Sequence, residues 1–234
     1  MDKLFFRRLL KVPQSTPTEA FYLEMGAVPI GIIIKARRLN YLHSILRGDR
    51  SGMLYSFLLT QWHNPSKGDW SKLVKENLEE FGIPADFKLI REMSKEAFKK
   101  SVKVKSKELA FRNLLSKKVK HSKMANVAYD ELKIQKYMLR DDIKVEQKRL
   151  IFKHRTRMAE YGENFRGGKD QVFCPFCKLH LDSQERSFSC PVISADVEIV
   201  GSIQNIYSDD IKLETVETIK NITEYRKKRK DENK

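Results

Sequence analysis

The sequence predicts a mainly α protein: a helical domain, then a small irregular cysteine module, then a C-terminal helix. Three observations carry this. Apolar residues recur at helical spacing after Pro29, with Ile30, Ile33, Ile34, Tyr41, Leu42, Ile45 and Leu46 on one side. Glycines at 26, 48 and 82 punctuate the segments where helices stop. The three cysteines, 174, 177 and 190, are confined to one short stretch after the Gly167-Gly168 pair.

Each element follows from local chemistry. Ser15-Thr16-Pro17-Thr18-Glu19 reads as a helix start, with a hydroxyl cap, Pro in the first turn and an acid near the positive helix end. That helix ends near Gly26. The next runs from Pro29 to Gly48, and a third covers roughly 53–62. Asn64-Pro65-Ser66-Lys67-Gly68-Asp69 is a turn, after which Asp69 caps a helix that stops at Gly82. A long basic helix runs from Ser94 to about Lys118 with Phe98, Val102, Leu109 and Leu114 on its apolar side. Another is expected at about 129–137. A further helix opens at Asp141-Asp142 and continues through Ile151, Phe152 and Met158 to Tyr161. Residues 162–170 read as a linker, and a last helix begins at Asp209 or Asp210 and runs into Arg226-Lys227-Lys228-Arg229-Lys230. The expected divisions are 1–90, 91–161, 162–195 and 196–234.

Composition excludes several classes. The longest apolar stretch, 27–34, is interrupted by Pro29 and Gly31, while a membrane helix needs about 20 residues. Three cysteines in 234 residues do not make a disulfide scaffold and suit a reducing compartment. The first residues show no signal-peptide pattern, so an intracellular location, nuclear or cytoplasmic, is expected. The 46 basic and 31 acidic side chains leave a formal charge of +15. Residues 91–160 hold 21 basic and 9 acidic residues, +12 of that total. Such a block points to RNA or DNA as partner, without excluding a solvated helix face. The candidate phosphate-binding residues are Lys35, Arg37 and Arg38 on the second helix, and Lys153, Arg155 and Arg157 before the linker. No small-molecule substrate is implied, and Trp62 and Trp70 suit the core better than base stacking.

Cys174-Pro175-Phe176-Cys177 with Cys190 is half of a zinc-site pattern. A histidine a few residues before the last cysteine would complete it, but Arg186 stands there and cannot ligate. His180 is the nearest substitute, with Asp182 and Glu185 further candidates; zinc, if held, is structural. Unliganded buried thiols remain an equal reading, and a redox pair a lesser one. Tyr207-Ser208-Asp209-Asp210 mimics a two-metal polymerase signature, but its flanks suit a helix cap better. His154 reads as a lone surface histidine. No catalytic residue is assigned.

Phe6-Arg7-Arg8-Leu9-Leu10-Lys11-Val12-Pro13, Thr16-Pro17-Thr18-Glu19-Ala20-Phe21-Tyr22-Leu23-Glu24-Met25-Gly26, Ile30–Leu42 and Lys67-Gly68-Asp69-Trp70 follow one another in a familiar order. With Phe152–Met158, Asn164-Phe165-Arg166 and the segment Cys174–Pro191, they resemble the region just downstream of the polymerase core in animal non-LTR retrotransposon reverse transcriptases. The resemblance implies a thumb- or linker-like region over 1–90 and a zinc knuckle at 162–195. It places the catalytic fingers and palm upstream of Met1, and the 44 residues after Cys190 are too few for an endonuclease. The expectation is therefore a non-catalytic nucleic-acid-binding fragment. The alternatives are an exapted interaction protein or part of a larger active polymerase.

Overall fold

The computed structural model describes residues 3–64, 66, 68–165 and 172–232. The readings placed on Pro65, Lys67, Arg166 and the Gly167-Gly168 linker lie outside them. Along the chain the helices are α1 (Lys3–Leu10), α2 (Thr18–Glu24), α3 (Ile30–Arg47), α4 (Met53–His63), α5 (Trp70–Glu80), α6 (Phe87–Glu92) and α7 (Lys95–Lys118). They continue as α8 (Lys136–Leu139), α9 (Val145–Arg155), α10 (Gly162–Phe165), α11 (Gln184–Ser187), α12 (Pro191–Asp196) and α13 (Leu213–Glu232). Among the described residues, β-structure is confined to two isolated antiparallel bridges, Met25–Ile134 and Phe173–Leu181. The fold is mainly α with a small cysteine module. No described helix is long and apolar enough to cross a membrane.

Val28–Leu115 forms one compact unit; the chain up to Ala27 and from Ser116 onward forms the other. The borders expected at 90, 161 and 195 fall inside these units. In the first, α3 packs on α5 and α6, burying Leu39, Leu42, Leu46, Val74, Leu78 and Ile90. His43 lies in this core, its Nε2 3.0 Å from the Met93 carbonyl and its ring stacked 4.5 Å from Phe98 on α7. Ser94 Oγ accepts the Ala97 N–H at 3.1 Å, which fixes where α7 begins.

In the second unit Phe6, Phe21 and Phe152 stack in series at 5.8 Å spacings, tying α1 and α2 to α9. Tyr137, Ile143, Ile151, Ile211 and Val216 form one buried cluster, and Cys174, Cys190, Ile193, Val197 and Ile222 another. Helix α13 packs on α9.

Several local expectations give way to tertiary contacts. The helix expected at 129–137 is reduced to α8. The preceding segment instead lies along the end of α2, where the Gln135 N–H donates to the Glu24 carbonyl at 3.0 Å. Gly26, at φ +60°, permits this approach, because a Cβ there would sit 2.3 Å from the Ile134 nitrogen. Helix α9 starts at Val145, where Gln147 Oε1 accepts the Lys144 N–H; Asp142 is instead paired with Arg140. It stops at Arg155 and does not reach Tyr161, since Arg157 adopts φ +51°. Residues 162–165, expected in a linker, form the short helix α10. Asp209 and Asp210 do not cap α13, which begins only at Leu213; Asn205 organises that turn by accepting the Lys212 N–H at 2.7 Å. Asp69 occupies the N-cap position of α5, but its carboxylate turns back to the Ser66 N–H.

Candidate metal centre and basic surfaces

The cysteine module is a reversed chain pinned by backbone contacts, among them the Asp182 N–H to the Val172 carbonyl at 2.7 Å. The Cys174 N–H donates to the His180 carbonyl at 2.7 Å, and the Lys178 N–H to the Cys174 carbonyl at 3.0 Å. Lys178 takes φ +54° to make the turn. Cys190 arrives from the other side as the N-cap residue of α12, with Pro191 in the first helical turn. The three sulfurs all lie within 4.8 Å of one another, and the Cys174 and Cys190 Sγ atoms are 3.8 Å apart. A tetrahedral ion with Zn–S bonds of about 2.3 Å has an S–S edge of about 3.8 Å, so the spacing suits one ion. Burial raises the Cys174 thiol to about 11, whereas the Leu179 N–H favours the Cys177 thiolate and lowers its pKa. A cation between the sulfurs would deprotonate all three.

His180 lines the same small pocket as the three cysteines without joining the sulfur cluster. Its side chain is exposed, and its ring nitrogens are not among the atoms gathered within 4.8 Å; it serves the module through its backbone carbonyl. Asp182 is buried, but its carboxylate accepts from the Gly162 N–H at 2.7 Å and from Arg226 at 3.0 Å. Glu185 pairs with Arg157. Arg186 is exposed on α11.

The six basic candidates separate sharply, and the two triplets belong to different units. Arg155 is only 1% exposed. Its Nε lies 2.9 Å from the fully buried Glu24 carboxylate, and its Nη1 donates to the Ile206 and Ser208 carbonyls at 2.7 and 3.0 Å. Tyr129 and Tyr137 both donate to the same carboxylate. Arg155 is thus the centre of a satisfied buried network, not a phosphate ligand, because no nucleic acid reaches it without dismantling the core. Arg157 is drawn to Glu163 and Glu185. Lys35 is paired with Glu80. Arg38 and Lys153 are half-buried, and Arg37 is exposed with no ion-pair partner among the described residues.

His154 is 1% exposed, not a surface residue. Its Nδ1 lies 2.9 Å from the Leu150 carbonyl, which places the proton on Nδ1, and burial lowers its pKa to about 4. Trp62 and Trp70 are half-buried and already engaged, the first by Phe87 at 4.4 Å and by Lys75, the second by Tyr41 at 5.7 Å. Neither offers a free face at both sides.

A feature overlooked in the sequence lies on α7. Lys95, Lys99, Lys103 and Lys107 recur every four residues, along the flank of the buried Phe98–Val102–Leu109 stripe. All four are exposed, and none has an ion-pair partner among the described residues. The spacing alone could have revealed this ridge.

No family model, curated protein or solved structure matches this chain.

Proposed function

We propose that this chain is a non-catalytic nucleic-acid-binding module that holds RNA or DNA through phosphate contacts. It corresponds to the post-polymerase region of the retrotransposon reverse transcriptases that it resembles. The observation that carries this reading is the lysine ridge of α7. Its four ammonium groups make three successive like-charge i,i+4 pairs, each costing a helix about 0.2–0.5 kcal/mol. A strand of phosphates converts that repulsion into attraction and releases condensed counterions. Arg37 on α3 adds an exposed cation within the same unit. Zinc on Cys174, Cys177 and Cys190 would fasten the module that follows, as a structural ion. Chromosomal DNA or element RNA as partner places the protein in the nucleus or cytoplasm.

The test replaces Lys99, Lys103 and Lys107 by Glu and follows a labelled oligonucleotide by anisotropy across a salt series. Affinity should fall on every sequence, and the slope of log K against log salt should flatten by about two to three units. Thermal stability should change little, because the Lys–Lys pairs 99–103 and 103–107 become Glu–Glu pairs of the same repulsive kind. Unchanged affinity in a folded variant would sink the reading. A second reading, a helical interaction protein, draws on α4, where Met53 is 84% exposed beside exposed Leu54 and Phe57. A protein partner insensitive to the lysine changes would favour it.

A further inference from the structure

The basic tail Arg226-Lys227-Lys228-Arg229-Lys230 lies in the last two turns of α13. On that helix Thr223, Arg226, Lys227 and Lys230 recur at three- and four-residue spacing and so share a face. That face borders α9, whose Leu150, Lys153 and His154 have the same spacing. Between them lies a cleft of about 510 Å³, within the range of small-ligand sites. Its apolar wall includes Leu150, Ala159 and Tyr161, and its cations are Lys153, Lys227 and Lys230 with Arg226 behind.

The charges do not cancel. Arg226 is spoken for: it donates to Asp182 and to the Glu160 carbonyl, and its guanidinium lies 4.5 Å from the Tyr161 ring centroid. Lys230 pairs with Glu160 at 3.4 Å. Lys153 and Lys227, from facing helices, have no ion-pair partner among the described residues, and Asp231 is the remaining carboxylate on the rim. Two unpaired ammonium groups at the mouth of an apolar-walled concavity concentrate positive potential where water is partly excluded. A bare anion would leave the apolar wall unused, and a hydrophobic ligand would leave the ammonium groups uncompensated. An anion with a flat organic body satisfies both.

We infer that this cleft seats one phosphorylated nucleotide unit of a nucleic-acid strand. Its phosphate rests on Lys153 and Lys227, and its sugar and base lie against Leu150, Ala159 and Tyr161. The inference rests on the nucleic-acid reading and extends it from a charged helix surface to a defined seat.

The experiment titrates a labelled 5′-phosphorylated single-stranded oligonucleotide into the full chain and into K153A/K227A, whose changes lie at the cleft's mouth. The double variant should bind about tenfold more weakly at moderate salt. A nucleoside monophosphate should compete with the oligonucleotide on the wild type, and inorganic phosphate at equal concentration should not. Equal affinity of wild type and double variant overturns the cleft while leaving the α7 reading intact. Equal competition by inorganic phosphate overturns the nucleotide assignment. No oligonucleotide binding by the wild type overturns both, as does binding through Lys153 and Lys227 to vesicles of anionic phospholipid alone. The triple α7 lysine variant separates the two: it should bind the oligonucleotide more weakly yet bind the nucleoside monophosphate, followed directly by calorimetry, as the wild type does.

Discussion

At the scale of single residues, the second unit turns on two buried groups adjacent in sequence. Arg155 contributes a charge satisfied by the Glu24 carboxylate, which also accepts from the Tyr129 and Tyr137 hydroxyls, and by two backbone carbonyls. Such a pair adds little net stability over a hydrophobic alternative, but breaking it leaves an orphan charge and costs about 3–5 kcal/mol. Its role is to fix one arrangement of α2, α9 and the segment around Tyr207. His154 contributes through what it refuses to bind. With a pKa near 4 in the folded chain against about 6.5 when unfolded, the unfolded state takes up a proton that the folded state excludes. Stability is therefore flat above about pH 7 and falls as pH drops from about 6.5 toward 4, by roughly 3 kcal/mol across the window. Urea midpoints at pH 7.5, 5.5 and 4.5 should show this steepness in the wild type and less of it in His154→Gln. Identical slopes would remove His154 as the cause.

At the scale of elements, the cysteine module is the segment least able to fold unaided. Helices α11 and α12 have four and six residues, and the cluster around Cys174 and Cys190 depends on Ile222 of α13 for its apolar closure. An ion joining three thiolates would supply the missing free energy. The protein purified with zinc present should carry about one ion per chain by elemental analysis. Chelation should release it and lower the amide-exchange protection of 173–197 while sparing α3 and α5. Cys190→Ser should not retain the ion. A wild-type protein that copurifies without metal, with protection unchanged by chelator, would return the three thiols to ordinary core residues.

At the scale of the molecule, the two units differ in how the chain builds them. Val28–Leu115 is continuous and has its own core. The other unit needs the first 27 residues to return to a segment more than a hundred positions away, where Glu24 meets Arg155 and Phe21 stacks on Phe152. A chain beginning at Val28 should therefore keep the helical signal and exchange protection of 28–115. It should lose protection throughout 116–232, because Arg155 is left without its carboxylate. Retained protection in both regions would show that the N-terminal segment is dispensable. Unfolding of the whole chain should accordingly depart from a single two-state transition.

The sequence by itself determined the mainly α class, the positions of α3, α4, α5 and α7, and the grouping of the cysteines. Those features depend on helical periodicity, caps and stops acting over a few residues. The notable failures are of the opposite kind. The segment around Tyr129 was drawn out of helix by pairing with Met25 and Glu24. Arg155 and His154, read from polarity as accessible, are buried, and Arg155, like Arg226, is satisfied by a carboxylate far along the chain. The cleft between α9 and α13 follows in the same way. Local sequence reports what a backbone segment prefers, but which charges are neutralised, and which are left facing a partner, depends on neighbours that only the folded chain brings together.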